Sequence, residues 1–188
     1  MPRVVTSMAI EPASKLDTFY AVEDPWNYDT TPDDSVRLAR LLSALPNRTY
    51  DRTLEIGCGN GFVTLNLPGK EVVGLDISEI AVEWARNKAA KRSDADRFLF
   101  DQCSLFDLSS ERYGQFDLVV ICGVLYPQYV GRGFSLVQIV IDRLLRKHGI
   151  LASVHIDDWC PWRFPYTLLN ADLSPYRQYV HRLEVMEK

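Results

Sequence analysis

Three glycines at alternate positions end the segment Leu54-Glu55-Ile56-Gly57-Cys58-Gly59-Asn60-Gly61, directly after a short apolar run. Glycine takes positive φ without steric cost and lets the backbone approach a bound molecule. A strand running into such a loop, with a helix expected beyond it, is the layout of a nucleotide cradle. The dinucleotide version asks for a further glycine where this chain has Phe62, so the spacing disfavours a nicotinamide dinucleotide. Asp76 is the second signal. It stands 19 residues after Gly57, at the end of the next apolar run. A carboxylate there has two oxygens that can accept both hydroxyl protons of a ribose. The plainer reading is a cap for the turn into Ser78.

The elements that must position these groups follow from hydrophobic periodicity. Apolar runs at residues 53–56, 71–76, 97–100, 116–122 and 150–156 predict five strands. The fourth is almost wholly apolar, as a strand buried on both faces should be. Helical patterns fill the gaps. Residues 32–45 place Val36, Leu38, Leu41 and Leu42 toward the sheet; Ser78 caps a run to Lys91; and residues 134–147 carry Val137, Ile141, Leu144 and Leu145 inward, with Arg146, Lys147 and His148 at the C-terminal end. Strands alternating with helices imply a parallel sheet with right-handed crossovers. Two polar-alternating stretches near residues 166–169 and 179–186 suggest an antiparallel hairpin at one edge.

Composition narrows the partners. The chain has 188 residues, a formal charge of -4 and a pI near 5.4. That balance argues against a nucleic-acid backbone as the main partner, and the one basic cluster, residues 86–92, reads as a solvated helix face. No apolar run approaches the length of a membrane span, and residues 1–13 lack a signal-peptide layout, so a cytoplasmic location is expected. Cys58, Cys103, Cys122 and Cys160 are scattered, with no metal-ligand spacing. They read as reduced thiols, without metal.

The segments Glu55-Ile56-Gly57-Cys58-Gly59-Asn60-Gly61, Gly74-Leu75-Asp76-Ile77-Ser78 and Phe116-Asp117-Leu118-Val119, in that order, resemble the class I S-adenosylmethionine-dependent methyltransferases over roughly residues 15–160. The resemblance implies an α/β fold: a Rossmann-like, seven-stranded, mostly parallel sheet with helices on both faces and an antiparallel edge hairpin. It implies S-adenosyl-L-methionine as cofactor. Gly57, Gly59 and Gly61 would border its methionine half, Glu55 would orient the loop, Asp76 would hold the ribose, and Cys58 and Ile77 would be among the cofactor contacts. Tyr28 and Cys122 would complete the contacts. Ser104 takes the place of the usual adenine-binding acid, with Leu105 on the ring; an alternative register uses Asp101. Asp24-Pro25-Trp26, Tyr28, Leu45-Pro46, Tyr50, Val124-Leu125-Tyr126 and the C-terminal Leu183-Glu184-Val185-Met186-Glu187 are similar to the nodulation-factor N-methyltransferases and their small-molecule relatives. This chain is shorter than those enzymes after the fifth strand. The layout is then one domain over 1–188, with an N-terminal arm or lid (1–31), a Rossmann-like core (32–160) and C-terminal edge strands (161–188).

In an open α/β sheet the site lies beyond the carboxyl ends of the strands. That selects Cys122 to Tyr126 after strand four and His155 to Asp158 after strand five, with Tyr20, Trp26 and Tyr28 closing over them. Methyl transfer from a sulfonium is chiefly a matter of positioning, and a base is needed only for a protonated nucleophile. His155 is the expected base, near Tyr126; Asp157 and Trp159 join Tyr20 and Trp26 as substrate contacts; and His181 reads as structural. The expected activity is transfer to a nitrogen or oxygen of a small-molecule acceptor, by a monomer or homodimer. The alternatives are a non-catalytic cofactor-binding module and a nucleic-acid methyltransferase. Cys122-Gly123-Val124-Leu125 lacks the polar-Pro-Pro-aromatic pattern of the amino-directed nucleic-acid enzymes.

Overall fold

The computed structural model describes residues 12–188. Helix α1 (Ala13–Phe19) and helix α2 (Pro32–Ala44) precede the sheet, and α2 opens on Pro32 with Asp33 and Asp34 in its first turn. Both features suit a helix N-terminus, where the missing N–H costs nothing and the dipole favours acids. Strands β1 (Arg52–Ile56), β2 (Glu71–Asp76), β3 (Phe98–Gln102), β4 (Phe116–Cys122) and β5 (Leu145–Ile156) follow. Between them lie α3 (Glu79–Ala89), the short α4 (Ser110–Tyr113) and α5 (Pro127–Val130), and α6 (Phe134–Leu144). Strands β6 (Thr167–Tyr176) and β7 (Tyr179–Glu187) end the chain.

The seven strands form one sheet in the order β3-β2-β1-β4-β5-β7-β6. Strands β1 to β5 pair in parallel, while β7 runs antiparallel to both β5 and β6. The expected edge hairpin is present. Alternation along β4 decides which layer each side chain joins: Val119 and Ile121 pack with Val137 and Ile141 of α6, whereas Leu118 and Val120 pack with Leu41 of α2. Both faces of the sheet are therefore covered.

Three local expectations need correction. The glycine loop leads into a single 3-10 turn, Thr64–Asn66, rather than an α-helix; Asn66 donates its side-chain amide to the Phe62 carbonyl there, and Leu67 turns extended. Helix α6 stops at Leu144, and Arg146, Lys147 and His148 belong to β5, where Gly149 opens no new strand. Arg146 pairs there with Asp117 of β4 across 2.7 Å, a contact that sheet pairing supplies and helical charge patterning does not reveal. Val36 is half exposed; the inward face of α2 is Asp34 and Leu41, with Leu38 and Leu42 packed beside them as expected. Among the described residues no helix is long and apolar enough to cross a membrane.

Candidate active site

A cavity of about 480 Å³ lies beyond the carboxyl ends of the parallel strands, a size usual for small-molecule sites. On the β2–β3 side it is walled by Asp76, Ile77 and the turn Ser104-Leu105-Phe106. Gly57, Cys122 and Val124 lie at the middle, and Tyr126, Trp159 and His181 on the β5–β7 side. Tyr20, Trp26 and Tyr28 from the N-terminal arm also line it. A second cavity of about 30 Å³, bordered by Arg37, Glu55, Gly57, Cys58 and Gly59, sits at the glycine loop.

The loop geometry explains its glycines. The backbone N–H groups of Gly57 and Cys58 both donate to the Leu75 carbonyl, at 2.7 and 3.0 Å, which folds the end of β1 against β2. Gly57, Gly59 and Gly61 all have positive φ, at 75°, 53° and 84°. A Cβ on Gly57 would fall 2.2 Å from Val124 Cγ2, and one on Gly59 would fall 2.6 Å from the Tyr20 hydroxyl. Gly61 touches neither cavity; it lets Ala85 of α3 approach, at 3.2 Å from where its own Cβ would be.

Asp76 is buried, and its two oxygens accept the N–H groups of Gly59 and Ser78, each at 2.9 Å. The carboxylate thus ties the loop to the cap of α3 and also faces the cavity. Burial raises its pKa, opposed by these backbone donors. Glu55 is buried under the loop, accepts the Thr64 hydroxyl, and is pushed by burial up to about 8, opposed by Thr64 and by Arg37. Burial also raises the thiols of Cys58, well above the usual range, and of Cys122, up to about 12. Both are protonated at neutral pH.

The arm is fastened over this floor. Trp26 Nε1 donates to the Tyr20 hydroxyl at 3.3 Å, Trp84 Nε1 to the Tyr20 carbonyl at 3.1 Å, and Asn60 Nδ2 to the Glu23 carbonyl at 2.9 Å. Tyr28 stacks on Phe62 with ring centroids 5.5 Å apart.

Besides Gly61, two expected side chains border neither cavity. His155 is fully buried, its Nε2 accepts the Leu125 N–H at 3.1 Å, and its Nδ1 bonds Ser153 Oγ at 3.0 Å. Both ring nitrogens are committed within the fold, and burial, with Arg182 and His181 adding, lowers the ring to about 3. A base needs a free lone pair facing the substrate, so His155 does not fill that role. Asp157 is drawn away by Arg182 and by Arg163, the latter at 3.7 Å. Tyr126 does line the cavity, its hydroxyl accepting the Ile156 N–H at 3.0 Å. Of the two adenine registers, Ser104 borders the cavity, whereas Asp101 is taken by Arg112 and the Tyr113 hydroxyl at 2.8 and 2.9 Å.

Residues not singled out from the sequence complete the wall. Arg37, Tyr176, Arg177 and Tyr179 reach the cavity from α2 and the edge hairpin, and His181, read from the sequence as structural, lines it with them. Asp34, with no exposed surface, joins them: it pairs with Arg37 and Arg177, each at 3.0 Å, and accepts the Tyr176 hydroxyl at 2.8 Å. The spacing Asp34, Arg37, Leu41 puts all three on one helix face. That is the signal by which Arg37 was findable.

The fold and this cavity define a class of protein. The chain belongs to a methyltransferase-domain family, matched over residues 48–182. It is 31% identical over 115 residues to Nodulation protein S of Bradyrhizobium diazoefficiens, covering 59% of this chain and 52% of that one. It is 37% identical over 83 residues to the 27-O-demethylrifamycin SV methyltransferase of Amycolatopsis mediterranei, covering 42% of this chain and 30% of that one. The match thus spans about half or less of these relatives' length. Among solved structures, the N-methyltransferase NodS from Bradyrhizobium japonicum in complex with S-adenosyl-L-homocysteine superposes with a TM-score of 0.76 at 20% identity, over 94% of this chain and 97% of that one. Family and fold together indicate S-adenosyl-L-methionine as the cofactor.

Proposed function

We propose that this chain transfers the methyl group of S-adenosylmethionine to a nitrogen or oxygen of a small-molecule acceptor. One observation carries the reading: a single cavity runs from Asp76 and Ser104, past Gly57, to the aromatic wall at Tyr126 and Trp159. That is room for a donor and an acceptor side by side. The residues present suit the cofactor. Asp76 offers its remaining lone pairs to ribose hydroxyls, Ile77 and Leu105 give apolar surface, and Ser104 gives a hydroxyl near the adenine. Arg37 Nε is buried with no partner among the described residues and lies beside Gly57 and Glu55. A buried guanidinium with an unmet donor suits the methionine carboxylate.

When bound, the cofactor supplies an electrophilic methyl on a positively charged sulfur. The chain's part is to bind, align and keep water out. Tyr20, Trp26 and Tyr28 cover the reacting centre, and Tyr126, fixed by Ile156, stands at the acceptor side. No buried base is assigned, because His155 is sealed into the fold and positioning alone suffices for a nucleophile that arrives deprotonated. Calorimetric titration with S-adenosylmethionine, followed by a screen for S-adenosylhomocysteine release across small acceptors, tests the reading. Binding without any turnover would favour the non-catalytic module.

A further inference from the structure

The acceptor side of the cavity is aromatic and carries an uneven set of charges. Tyr126 meets Trp159 edge-on with centroids 5.6 Å apart, and Trp159 meets Tyr179 at 4.9 Å. His181, which also lines the cavity, stacks on Tyr176 at 3.8 Å with the planes 11° apart. Trp159 lines the cavity and keeps 41% of its surface exposed despite these neighbours. Flat faces of this kind favour a planar, aromatic guest.

Among the described residues two guanidiniums line the cavity, Arg37 and Arg177, and both lean on the buried carboxylate of Asp34. That corner has one positive charge in excess. Asp33 is exposed and accepts only the backbone N–H of Arg177, at 3.2 Å. His181 adds no charge, since burial, then Arg37 and Arg177, hold its ring down to about 4. Its Nδ1, like Arg37 Nε, is buried with no partner among the described residues. Asp76 is the one carboxylate among the described lining residues, and it lies on the ribose side. Asp157 and Glu184 are held by Arg182 and Arg163. The cofactor's own carboxylate is balanced by its ammonium, which leaves the sulfonium as one more positive charge.

We infer that the acceptor is an aromatic oxyanion, a phenolate or an arenecarboxylate, received between the Tyr126–Trp159–Tyr179 wall and Arg177, and that an ammonium-bearing acceptor is excluded. The inference rests on the methyl-transfer reading of the same cavity and names its substrate class. A phenol loses its proton to water as it settles in the positive field. An oxygen lone pair then forms the bond to the methyl carbon, and the carbon–sulfur pair returns to sulfur, leaving an aryl ether (or an ester) and a neutral thioether. No protein base is consumed.

The test begins with calorimetric binding of S-adenosylhomocysteine, which stands or falls with the methyl-transfer reading. On the protein loaded with that product, 4-nitrophenol is titrated by its visible phenolate absorbance, alongside 4-nitrobenzoate and benzylamine. At least one of the two oxyanions should bind more tightly than benzylamine, and which one does identifies the acceptor oxygen. If the phenolate binds, the probe's apparent pKa should fall on the protein. Arg177→Gln should weaken oxyanion binding about tenfold, the scale of a screened hydrogen bond to a charged group, while Arg177→Lys retains most of it. Product affinity and melting temperature, read in parallel, separate this from a loosened arm, because Arg177 also donates to the Trp26 carbonyl at 2.9 Å. Product binding with benzylamine preferred over both oxyanions overturns the inference and leaves the methyl-transfer reading standing. So does a folded Arg177→Gln protein that binds the oxyanion as wild type does. Failure to bind product overturns both.

Discussion

The imidazole Nε2 of His155 accepts the backbone N–H of Leu125 at 3.1 Å, bridging the end of β5 to the turn that carries Tyr126. The bond makes this histidine a strut of the cavity rather than its reagent. Replacing it with Asn should leave the buried Leu125 N–H unpaired and cost about 1–3 kcal/mol of stability. Turnover per folded molecule should stay within a few-fold of wild type. The folded pKa of about 3 lies below the unfolded value, so the contribution is complete above the unfolded pKa and is lost as pH falls toward 3. Melting curves between pH 7 and pH 4, with kcat at neutral pH, check both parts.

Glu55 behaves with the opposite sign. Its folded pKa, about 8, lies above the unfolded value, so its contribution is present in acid and lost as pH rises through 8. Glu55→Gln should remove that loss. The difference in unfolding free energy between the two proteins should change by up to about 1.4 kcal/mol per pH unit between pH 5.5 and 7.5. Denaturant titrations in that window would show parallel curves if the carboxyl were ionised throughout.

Much of this architecture is written in local pattern, because an apolar strand buried on both faces needs no partner to be recognised. The runs ending at Asp76 and Cys122 coincide with β2 and β4 for that reason. The boundary between α6 and β5 is not local: Leu144 and Leu145 are both fully buried, and only the sheet decides where the helix stops. The end of the cavity at Gly57 and Asp76 was legible because one loop and one strand end carry it. The end at Arg37 and Arg177 was not, since these two meet over Asp34 from sequence positions that lie far apart. His181 likewise reads as an edge-strand residue until β7 is laid between β5 and β6.

Gly57 tolerates no side chain. Ala at this position must adopt φ near 75° and drive its Cβ to 2.2 Å from Val124 Cγ2. The backbone strain alone is on the order of 1–3 kcal/mol, and Val124 has to shift as well. We expect a lower melting temperature and weaker binding of S-adenosylhomocysteine. Pairing the change with Val124→Ala should recover part of the stability, by making room for the methyl group.

The arm over the cavity should respond to cofactor. Tyr20, Trp26 and Tyr28 line the same space as Gly57 and Asp76, so amide exchange across residues 15–31 should slow when S-adenosylhomocysteine is added. Exchange that ignores the ligand would reduce the arm to packing.

The most direct measurement is calorimetric titration of S-adenosylmethionine into the wild-type protein and into Asp76→Ala. The buried carboxylate accepts Gly59 and Ser78 and faces the cavity, so the wild type should bind one equivalent. The variant, checked for folding by its melting curve, should lose about 1.5–3 kcal/mol of binding free energy, the range for hydrogen bonds to a charged group. A wild-type protein that gives no heat with S-adenosylmethionine but binds NADH would contradict the account, and so would a folded Asp76→Ala protein that binds the methyl donor as tightly as wild type.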